Sequence, residues 1–348
     1  MTQDVLDVSV IMPAYYAEKV LARAIRSVLA QDYPVREIIV VADETTDGTA
    51  AVARGFGDPV RFYHQTNCGP SAARNLAMEK AGGEWVAFLD ADDWWEPQRL
   101  ALAADILKRH PELQWVSGRY TTIWPGGERT LCPRTAAYEA LLDEGCHFQD
   151  FYAAGVAGVH CHTDTLLIRR DVVVQAGLFD LNLTCGEDID LFYRIADRFP
   201  AIGYVNTPIS VYDRSSEGSL ERNKAIHLTD YLALLAKHVP AQVPADWKSA
   251  GSKERFFRDR IEYGLRLAAV RGEREILKLF LRDYGGWVSP RLRCLGAVLA
   301  LFPGSILTAM GRAYLRCPAR SLPKRWARLF WMLAPLEDVP SSPLSRTG

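Results

Sequence analysis

The stretch Glu84-Trp-Val-Ala-Phe-Leu-Asp90-Ala-Asp92-Asp93 is a short apolar run that ends in three carboxylates within four positions. Such a run is typical of a buried strand. Alternation along an extended chain points Asp90 and Asp92 the same way from the strand's carboxyl end. Two hard oxygen donors at one place can hold Mg²⁺ or Mn²⁺, and a bound cation can grip a diphosphate. A solvated acidic turn explains a lone Asp-x-Asp equally well.

Strand-like and helix-like patterns alternate on both sides of this stretch. The predicted strands are 8–13, 37–41, 60–64 and 84–89, and the predicted helices are 18–31, 47–54, 70–81 and 96–110. This alternation indicates an α/β fold of the Rossmann-like class, with a mainly parallel twisted sheet flanked by helices. Ligands of such sheets lie beyond the carboxyl ends of the strands. The polar motifs at 14–16, 42–44 and 90–93 all fall there.

The pattern becomes less regular after residue 113. We expect strands at 114–122, 163–169 and 209–212, an amphipathic helix at 187–198, and only helices after about residue 218. The predicted organisation is an α/β domain at 1–217, which divides at about residue 113, followed by a helical C-terminal extension at 218–348.

Bulk composition excludes some classes of function. The 348 residues carry a formal net charge of −1, so nucleic acid is not expected as a partner. The seven cysteines are scattered and form no Cys-x-x-Cys pair, so neither a disulfide framework nor a zinc site is suggested. The first residues lack the basic and apolar segments of a signal peptide. We therefore expect a cytoplasmic protein.

Five segments together resemble the motifs of one enzyme family. They are Val8-Ser-Val-Ile-Met-Pro-Ala-Tyr15, Ile38-Ile-Val-Val-Ala-Asp43-Glu-Thr-Thr-Asp47-Gly-Thr, Asn67-Cys-Gly-Pro-Ser-Ala-Ala-Arg74-Asn75, Phe88-Leu-Asp90-Ala-Asp92-Asp93 and Gly186-Glu187-Asp188-Ile-Asp-Leu-Phe-Tyr-Arg194. In this order and spacing they resemble the family 2 glycosyltransferases, which are inverting enzymes with the GT-A fold that use nucleotide-diphosphate sugars. The resemblance covers about residues 7–215. It implies that the domain 1–217 is catalytic, with a nucleotide-sugar half at about 1–113 and an acceptor half at about 114–217.

The resemblance implies a set of nucleotide-sugar contacts: Pro13, Ala14, Tyr15, Glu18, Asp43, Arg74, Asp90, Ala91 and Asp92. Two of these residues have ordinary structural alternatives. Asp43 can accept a ring N–H of a uracil-like base, or it can be a turn or helix-cap residue. Arg74 can contact the nucleotide, or it can form a salt bridge between helix and sheet. Asp47, which opens a helix, is explained at least as well by capping.

The resemblance also implies which carboxylates act in catalysis and which bind the metal. Asp188 resembles the catalytic base, which takes the proton of the acceptor hydroxyl as its oxygen attacks the anomeric carbon. Glu187 is expected to orient the acceptor or the base, although a carboxylate at a helix start also favours the helix itself. The expected metal ligands are Asp92 with Asp90 or Asp93, and the expected metal is Mn²⁺ or Mg²⁺. It would neutralise charge on the leaving diphosphate.

Three departures from the family pattern concern the nucleotide end. Tyr16 stands where Asn is usual, Ala42 replaces the first carboxylate of an Asp-Asp pair, and Glu44 replaces a small residue. These departures put donor preference in question. They also make a catalytically silent sugar-nucleotide-binding or scaffold protein the alternative to an active transferase.

Two other segments allow more than one interpretation. His160-Cys161-His162 could place two imidazoles on one face, but a loop near the acceptor pocket or simple packing explains it better than zinc. Asp213 and Arg214 follow the last predicted strand and resemble the family's closing segment, so we expect a lid there.

The C-terminal region combines apolar and basic patterns. Cys294–Gly311 carries no charge, but Pro303 interrupts a run that is marginal for a bilayer core of roughly 30 Å. Lys324-Arg-Trp-Ala-Arg-Leu-Phe-Trp-Met-Leu333 joins cations to an aromatic face, as interfacial helices do. Peripheral membrane contact is one hypothesis for this region, and packing on the catalytic core or on a second subunit of a homo-oligomer is the other.

The sequence therefore predicts an inverting glycosyltransferase with a nucleotide-diphosphate donor, UDP-sugar favoured. Its acceptor would be a hydroxyl of a glycan or of a lipid-linked acceptor, as in surface polysaccharide synthesis at the cytoplasmic face of the membrane.

Overall fold

A computed structural model describes residues 5–66, 68–215, 228–246, 250–306 and 308 of the chain. The chain divides into two compact units, Met1–Ile226 and His227–Gly348. The first unit contains the sheet, and the described part of the second unit is helical.

The strands of the first unit form one sheet. They are β1 Val8–Ala14, β2 Glu37–Asp43, β3 Val60–Gln65, β4 Trp85–Phe88, β5 Trp94–Trp95, β6 Trp115–Ile123, β7 Arg129–Cys132, β8 His147–Phe148, β9 Leu167–Arg169 and β10 Ile202–Asp213. The main path runs β3-β2-β1-β4-β9-β6-β10-β5, while β7 pairs with β6 and β8 pairs with β10. This is the mixed α/β architecture expected from the alternating sequence pattern.

The first four strands pair in parallel, with β1 between β2 and β4. Their apolar runs are continuous because helices cover both faces of a central parallel sheet. Val10, Ile39 and Val86 are fully buried in it. The connecting helices are α1 Leu21–Leu29, α2 Thr49–Arg54, α3 Gly69–Lys80 and α4 Arg99–Arg109. Parallel pairing brings the carboxyl ends of β1, β2 and β4 to one edge, which is where the polar motifs lie.

Beyond β4 the sheet becomes mixed. The short strand β9 lies antiparallel between β4 and β6, whereas β6 and β10 pair in parallel. The predicted strand 163–169 is therefore only half right, because Thr163–Thr165 forms a 3-10 turn and only Leu167–Arg169 is extended. The turn closes where Thr165 donates from both its main-chain nitrogen and its hydroxyl to the carbonyl of His162, at 2.9 and 2.7 Å.

The structure also contains short elements that the sequence pattern did not predict. They are β5, β7, β8, a 3-10 turn at Ala137–Leu141, and the helices α5 Phe151–Val156 and α6 Arg170–Gln175. Strands and helices of two to six residues are too short to show a periodicity. The last strand, predicted at 209–212, begins seven residues earlier at Ile202, and α7 spans Glu187–Ala196.

The second unit consists of helices α8 Leu228–His238, α9 Ser252–Arg271, α10 Arg274–Tyr284 and α11 Pro290–Leu299. Phe257, Ile261 and Phe280 are fully buried in it. Gly264 allows close packing, because a Cβ atom at this position would lie 2.4 Å from Cζ of Phe280. Among the described residues, no helix combines the length and the apolar character needed to cross a membrane. The basic segment 324–333 lies outside the described residues.

Candidate active site

Asp43 ends β2 and is 6% exposed. One carboxylate oxygen accepts from the Cys68 main-chain nitrogen at 2.9 Å and from Nε2 of Gln65 at 3.1 Å. The other accepts from the Gly69 nitrogen at 2.7 Å. Of the two interpretations of Asp43, the structure therefore shows the helix-start contact, because these bonds order the first residues of α3. The oxygen that accepts from Gly69 retains acceptor capacity for a further N–H.

The turn after β1 carries the other residues expected at the nucleotide base. Ala14 is buried, whereas Tyr15 is 46% exposed and its ring meets that of Tyr16 edge to face at 4.7 Å. Tyr16 and Glu44 both adopt a φ of 46°, a left-handed conformation that side chains other than Asn and Asp seldom take. Two of the three departures from the family pattern thus lie at left-handed positions beside the ends of β1 and β2.

Two hydrogen bonds join the loop that contains Glu18 to the loop that contains Asp47. The Glu18 main-chain nitrogen donates to Asp47 at 3.1 Å, and the carboxylate of Glu18 accepts from the Gly48 nitrogen at 3.1 Å. Asp47 also accepts from the nitrogen and hydroxyl of Thr49, the first residue of α2. This arrangement agrees with a capping role for Asp47. It holds the β1–α1 loop against the start of α2, and Pro13 precedes that loop as the sixth residue of β1.

Arg74 connects the donor motif to the predicted catalytic helix. Its guanidinium donates to Asp90 at 2.8 Å and to Glu187 at 3.0 Å, and Arg74 is only 5% exposed. Burial disfavours the cation, but the two carboxylates outweigh it and raise the pKa of Arg74 above its usual value. The structure therefore brings Arg74, Asp90 and Glu187 into direct contact. The predicted nucleotide contact of Arg74 stays a prediction.

The carboxylates of Asp90, Asp93 and Asp164 have oxygens within 4.8 Å of one another. Asp164 lies in the 3-10 turn before β9, and no sequence motif identified it. One of its oxygens accepts from the Asp90 main-chain nitrogen at 2.9 Å. Its other oxygen lies 3.2 Å from Nδ1 of His162. Asp164 therefore links the acidic motif to the segment 160–162.

Asp93 and Asp164 have opposite pKa shifts. Asp93 is 1% exposed, and burial together with the charge of Asp164 raises its pKa well above the usual value. For Asp164, burial acts in the same direction, but the imidazolium of His162 and the hydrogen bonds that it accepts hold its pKa below the usual value. Asp93 also accepts from the Asp213 nitrogen at 2.7 Å.

Among the described residues, no other residue donates a hydrogen bond to the carboxylate of Asp92. Burial and the charge of Asp90 raise its pKa to about 7. Arg23 donates to the main-chain oxygen of Asp92. A half-buried carboxylate beside another carboxylate, with no donor of its own, favours a bound cation. The oxygens that lie close enough together for one metal ion belong to Asp90, Asp93 and Asp164, and the predicted role of Asp92 as a metal ligand stays a prediction.

Gly186 precedes the pair Glu187-Asp188 with a φ of 78°, and this left-handed residue starts α7. Burial and the charge of Asp188 raise the pKa of Glu187. Glu187 is engaged by Arg74, whereas Asp188 accepts from the hydroxyl of Thr163 at 3.0 Å and from the Ile189 nitrogen at 2.7 Å. The two carboxylates thus have different partners: Glu187 has a buried cation, and Asp188 has neutral donors.

His162 packs against two tyrosine rings. Its ring lies 4.5 Å from that of Tyr212 and 5.2 Å from that of Tyr120, measured between centroids. Burial alone would lower its pKa, but Asp164 raises it to about 9. Among the described residues, neither His160 nor His162 belongs to a group of three close metal-ligand atoms. The packing interpretation of this segment is the one that the geometry supports.

The predicted lid residues lie at the end of β10. Asp213 is 6% exposed and accepts from Arg23 at 3.0 Å and from Ser215. The guanidinium of Arg214 lies 4.9 Å from the centre of the Trp124 ring. These contacts hold both residues against the sheet. The lid stays a prediction, and residues 216–227, which follow, lie outside the described part of the chain.

Comparison with known proteins gives the family. The model described as "Glycosyl transferase family 2" matches residues 9–175. An uncharacterized glycosyltransferase of Rickettsia typhi is 26% identical over 229 residues, which are 65% of this chain and 70% of that protein. The succinoglycan biosynthesis protein ExoO of Rhizobium meliloti is 30% identical over 192 residues, which are 52% of this chain and 53% of ExoO. The chain spans about a third of the length of several longer rickettsial relatives.

Solved structures show the same fold. Staphylococcus aureus TarS in complex with UDP-GlcNAc superposes with a TM-score of 0.63 at 16% identity, over 89% of this chain and 92% of that one. A mannosyltransferase of Pyrobaculum calidifontis, in complex with GDP-Man and Mn²⁺, gives 0.51 at 21% identity, over 90% and 88%. These likenesses confirm the predicted GT-A architecture with helices after it. The region of this chain that matches glycosyl transferase family 2, residues 9–175, contains the motifs at 38–49, 67–75 and 88–93 and all but the first residue of the motif at 8–15.

Proposed function

We propose that this chain is an inverting glycosyltransferase that moves a sugar from a nucleotide-diphosphate donor, UDP-sugar favoured, to a hydroxyl of a glycan or lipid-linked acceptor. The relatives support this assignment, because ExoO is a succinoglycan biosynthesis protein and Bacillus subtilis TuaG is described as a putative teichuronic acid glycosyltransferase. The fold neighbours were crystallised with UDP, UDP-GlcNAc or GDP-Man. Surface polysaccharide synthesis at the cytoplasmic face of the membrane is the setting that fits these chemistries.

The observation that carries the proposal is the double ion pair of Arg74. Asp90 belongs to the motif at the end of β4, and Glu187 stands beside Asp188 at the start of α7. A buried guanidinium that donates to both carboxylates fixes the distance between the donor side and the proposed base. Buried charged groups with shifted pKa values cluster at functional sites, which supports a shared role of the two acidic motifs.

We assign the following roles in the reaction to individual residues. Asp188 takes the proton of the acceptor hydroxyl, and the oxygen attacks the anomeric carbon from the face opposite the nucleotide, so the configuration inverts. Thr163 holds the Asp188 carboxylate in place through its hydroxyl. Asp92 and Asp90 would hold Mn²⁺ or Mg²⁺, which would neutralise charge on the leaving diphosphate. Tyr15 and Asp43 are the residues that we assign to contact with the nucleotide base.

Glu187 is assigned a positioning role. It is 15% exposed at its side chain and carries the only ion pair that the described residues show between α7 and Arg74. Because its oxygen accepts from a buried cation, it keeps the start of α7 beside the acidic motif. Substitution of Glu187 should therefore displace Asp188 without removing the base itself.

Nucleotide release provides the decisive experiment. The full chain, incubated with Mn²⁺ and individual UDP-sugars, should release UDP through transfer or slow hydrolysis. Asp188→Asn should suppress release while leaving donor-induced thermal stabilisation in place. Asp105→Asn is the matched control, because Asp105 lies on the exposed face of α4, paired with Arg109. Donor binding without release from any donor, unaltered by Asp188→Asn, would favour the silent sugar-nucleotide-binding protein instead.

The C-terminal region is proposed to contact the membrane surface peripherally. Between Arg291 and Gly348 the sequence has nine Lys and Arg against two acidic residues, and the run 324–333 adds an aromatic face. Co-sedimentation with vesicles containing anionic lipid should fall when Lys324, Arg325 and Arg328 are changed to Glu. Equal sedimentation of both proteins would exclude this contact and favour packing of the region on protein, including a second subunit.

A further inference from the structure

His110, Cys146 and His147 converge at a place that none of the proposed chemistry uses. His110 follows the last residue of α4, and the other two residues stand at the start of β8. Nε2 of His110 lies 3.5 Å from Sγ of Cys146, and Sγ lies 4.0 Å from Nδ1 of His147. The three ligand atoms are all within 4.8 Å of one another. All three residues are buried or nearly so, with exposures of 5–9%.

A carboxylate faces the other nitrogen of each imidazole. Glu112 lies 3.5 Å from Nδ1 of His110, and Asp143 lies 3.7 Å from Nε2 of His147. The inner nitrogens, Nε2 of His110 and Nδ1 of His147, are the ones that face Cys146. Metal-binding histidines typically have a carboxylate near the outer nitrogen. Nε2 of His147 also lies 3.1 Å from the side-chain nitrogen of Gln149.

Zinc binds sulfur at about 2.3 Å and imidazole nitrogen at about 2.0–2.1 Å in a tetrahedron, so sulfur and nitrogen ligands lie about 3.5 Å apart. The Cys146–His110 distance has this value, and the Cys146–His147 distance of 4.0 Å is longer. A carboxylate also lies beside this group, because Oε2 of Glu144 is 3.4 Å from Nε2 of His110. A thiolate with two imidazoles suits zinc and does not suit Mg²⁺ or Mn²⁺, which prefer oxygen.

We propose that His110, Cys146 and His147 bind a structural zinc ion through one sulfur and two nitrogen atoms. Arg109 donates to Sγ of Cys146 at 3.4 Å. The ion would tie the turn 143–147 to the end of α4.

This connection has a consequence for the acceptor half. Strand β8 pairs with β10, and the carbonyl of Cys146 accepts from the Tyr204 nitrogen at 2.7 Å. A two-residue strand is weakly held by its own hydrogen bonds. Zinc would therefore order the segment that precedes α5 and support the edge of the sheet beside β10. No Cys-x-x-Cys signals this site in the sequence, because His110 and Cys146 are 36 residues apart.

The test uses the purified full chain and metal alone. We expect about one zinc per chain by mass spectrometry, and Co²⁺ added to the metal-free protein should give a tetrahedral spectrum with a thiolate-to-cobalt charge-transfer band. Cys146→Ser should abolish that band and release the zinc. Cys294→Ser is the matched control, because Cys294 is an exposed cysteine of the second unit.

Glu112→Gln provides a second measurement on a residue that would not touch the ion. Loss of this supporting carboxylate should weaken zinc affinity about 10- to 100-fold, whereas Glu79→Gln, at an exposed glutamate of α3, should leave it unchanged. Asp92→Asn should also retain the zinc, which separates this site from the proposed catalytic metal. Should Cys146→Ser fail to fold, the cobalt spectrum of the unsubstituted chain is sufficient. A spectrum without the thiolate band, or zinc retained by Cys146→Ser, would overturn the proposal.

Discussion

Arg74 donates a 3.0 Å hydrogen bond to Glu187, a residue 113 positions further along the chain. The pair joins α3, which follows the third strand of the nucleotide half, to the first residue of α7 in the acceptor half. Arg74 also donates to Asp90. One buried cation therefore forms an ion pair with one carboxylate of each of the two acidic motifs on which the proposed reaction depends.

The first prediction concerns this cation. Arg74→Met should lower the free energy of unfolding by on the order of 3 kcal/mol, because it leaves two poorly exposed carboxylates without their partner. Urea unfolding measures the effect. Arg36→Met is the control: its ion pair with Asp7 is roughly half exposed on both sides and should contribute at most about 1 kcal/mol. Equal decreases in the free energy of unfolding for the two variants would show that the Arg74 ion pairs stabilise the fold no more than an exposed ion pair does.

The second prediction separates the two carboxylates of α7. Asp188→Asn should reduce kcat about 10²- to 10⁴-fold, the usual contribution of a general base, with little change in stability. Glu187→Gln should reduce both kcat and the free energy of unfolding, because its partner Arg74 stays buried. Turnover and urea unfolding of both variants provide the comparison. A Glu187→Gln protein with unchanged stability would contradict the positioning role.

The third prediction is a competition between protons and metal. Burial and the charge of Asp90 raise the pKa of Asp92 to about 7. Since only the ionised carboxylate binds a cation, Mn²⁺ affinity should fall about tenfold for each pH unit below 7. Titration with Mn²⁺, followed by electron paramagnetic resonance at several pH values, measures this slope. Asp92→Asn should bind Mn²⁺ weakly at every pH. Affinity of the unsubstituted chain that does not vary below pH 7 would argue against Asp92 as a ligand.

The fourth prediction concerns stability at alkaline pH. Burial opposes the imidazolium of His162, but Asp164 raises its folded-state pKa to about 9, above the ordinary value of 6.5. The folded state thus binds this proton more tightly. Its contribution to stability is complete below about pH 6.5 and is lost as the pH rises through about 9.

The difference in pKa corresponds to on the order of 3 kcal/mol. Urea unfolding between pH 6 and 10 should therefore show a decline that His162→Gln removes. His64→Gln, at an exposed histidine of β3, should leave the decline intact. If His162→Gln declines as steeply as the unsubstituted chain, another group is responsible.

Much of the nucleotide half was predictable because its determinants are local. Continuous apolar runs mark β1, β2 and β4, and parallel strands must place their carboxyl ends at one edge. The predicted bounds of β1 and β2 end within two residues of the observed ones. In the acceptor half the short elements carry no periodicity. There the strand predicted at 163–169 proved to begin as a turn, and it is this turn that presents Asp164.

The sequence by itself determined the positions of the first four strands along the chain, the place of the acidic motif after β4 and the resemblance to glycosyl transferase family 2. The tertiary structure decided which carboxylates are buried against one another and how burial shifts their pKa values. Asp93 reads like Asp92 in the sequence, but it is buried against Asp164, 71 positions away. The convergence of His110 with Cys146 and His147 was equally hidden. Charge state and metal binding depend on burial and on distances between side chains from different elements, and neither quantity exists until the chain has folded.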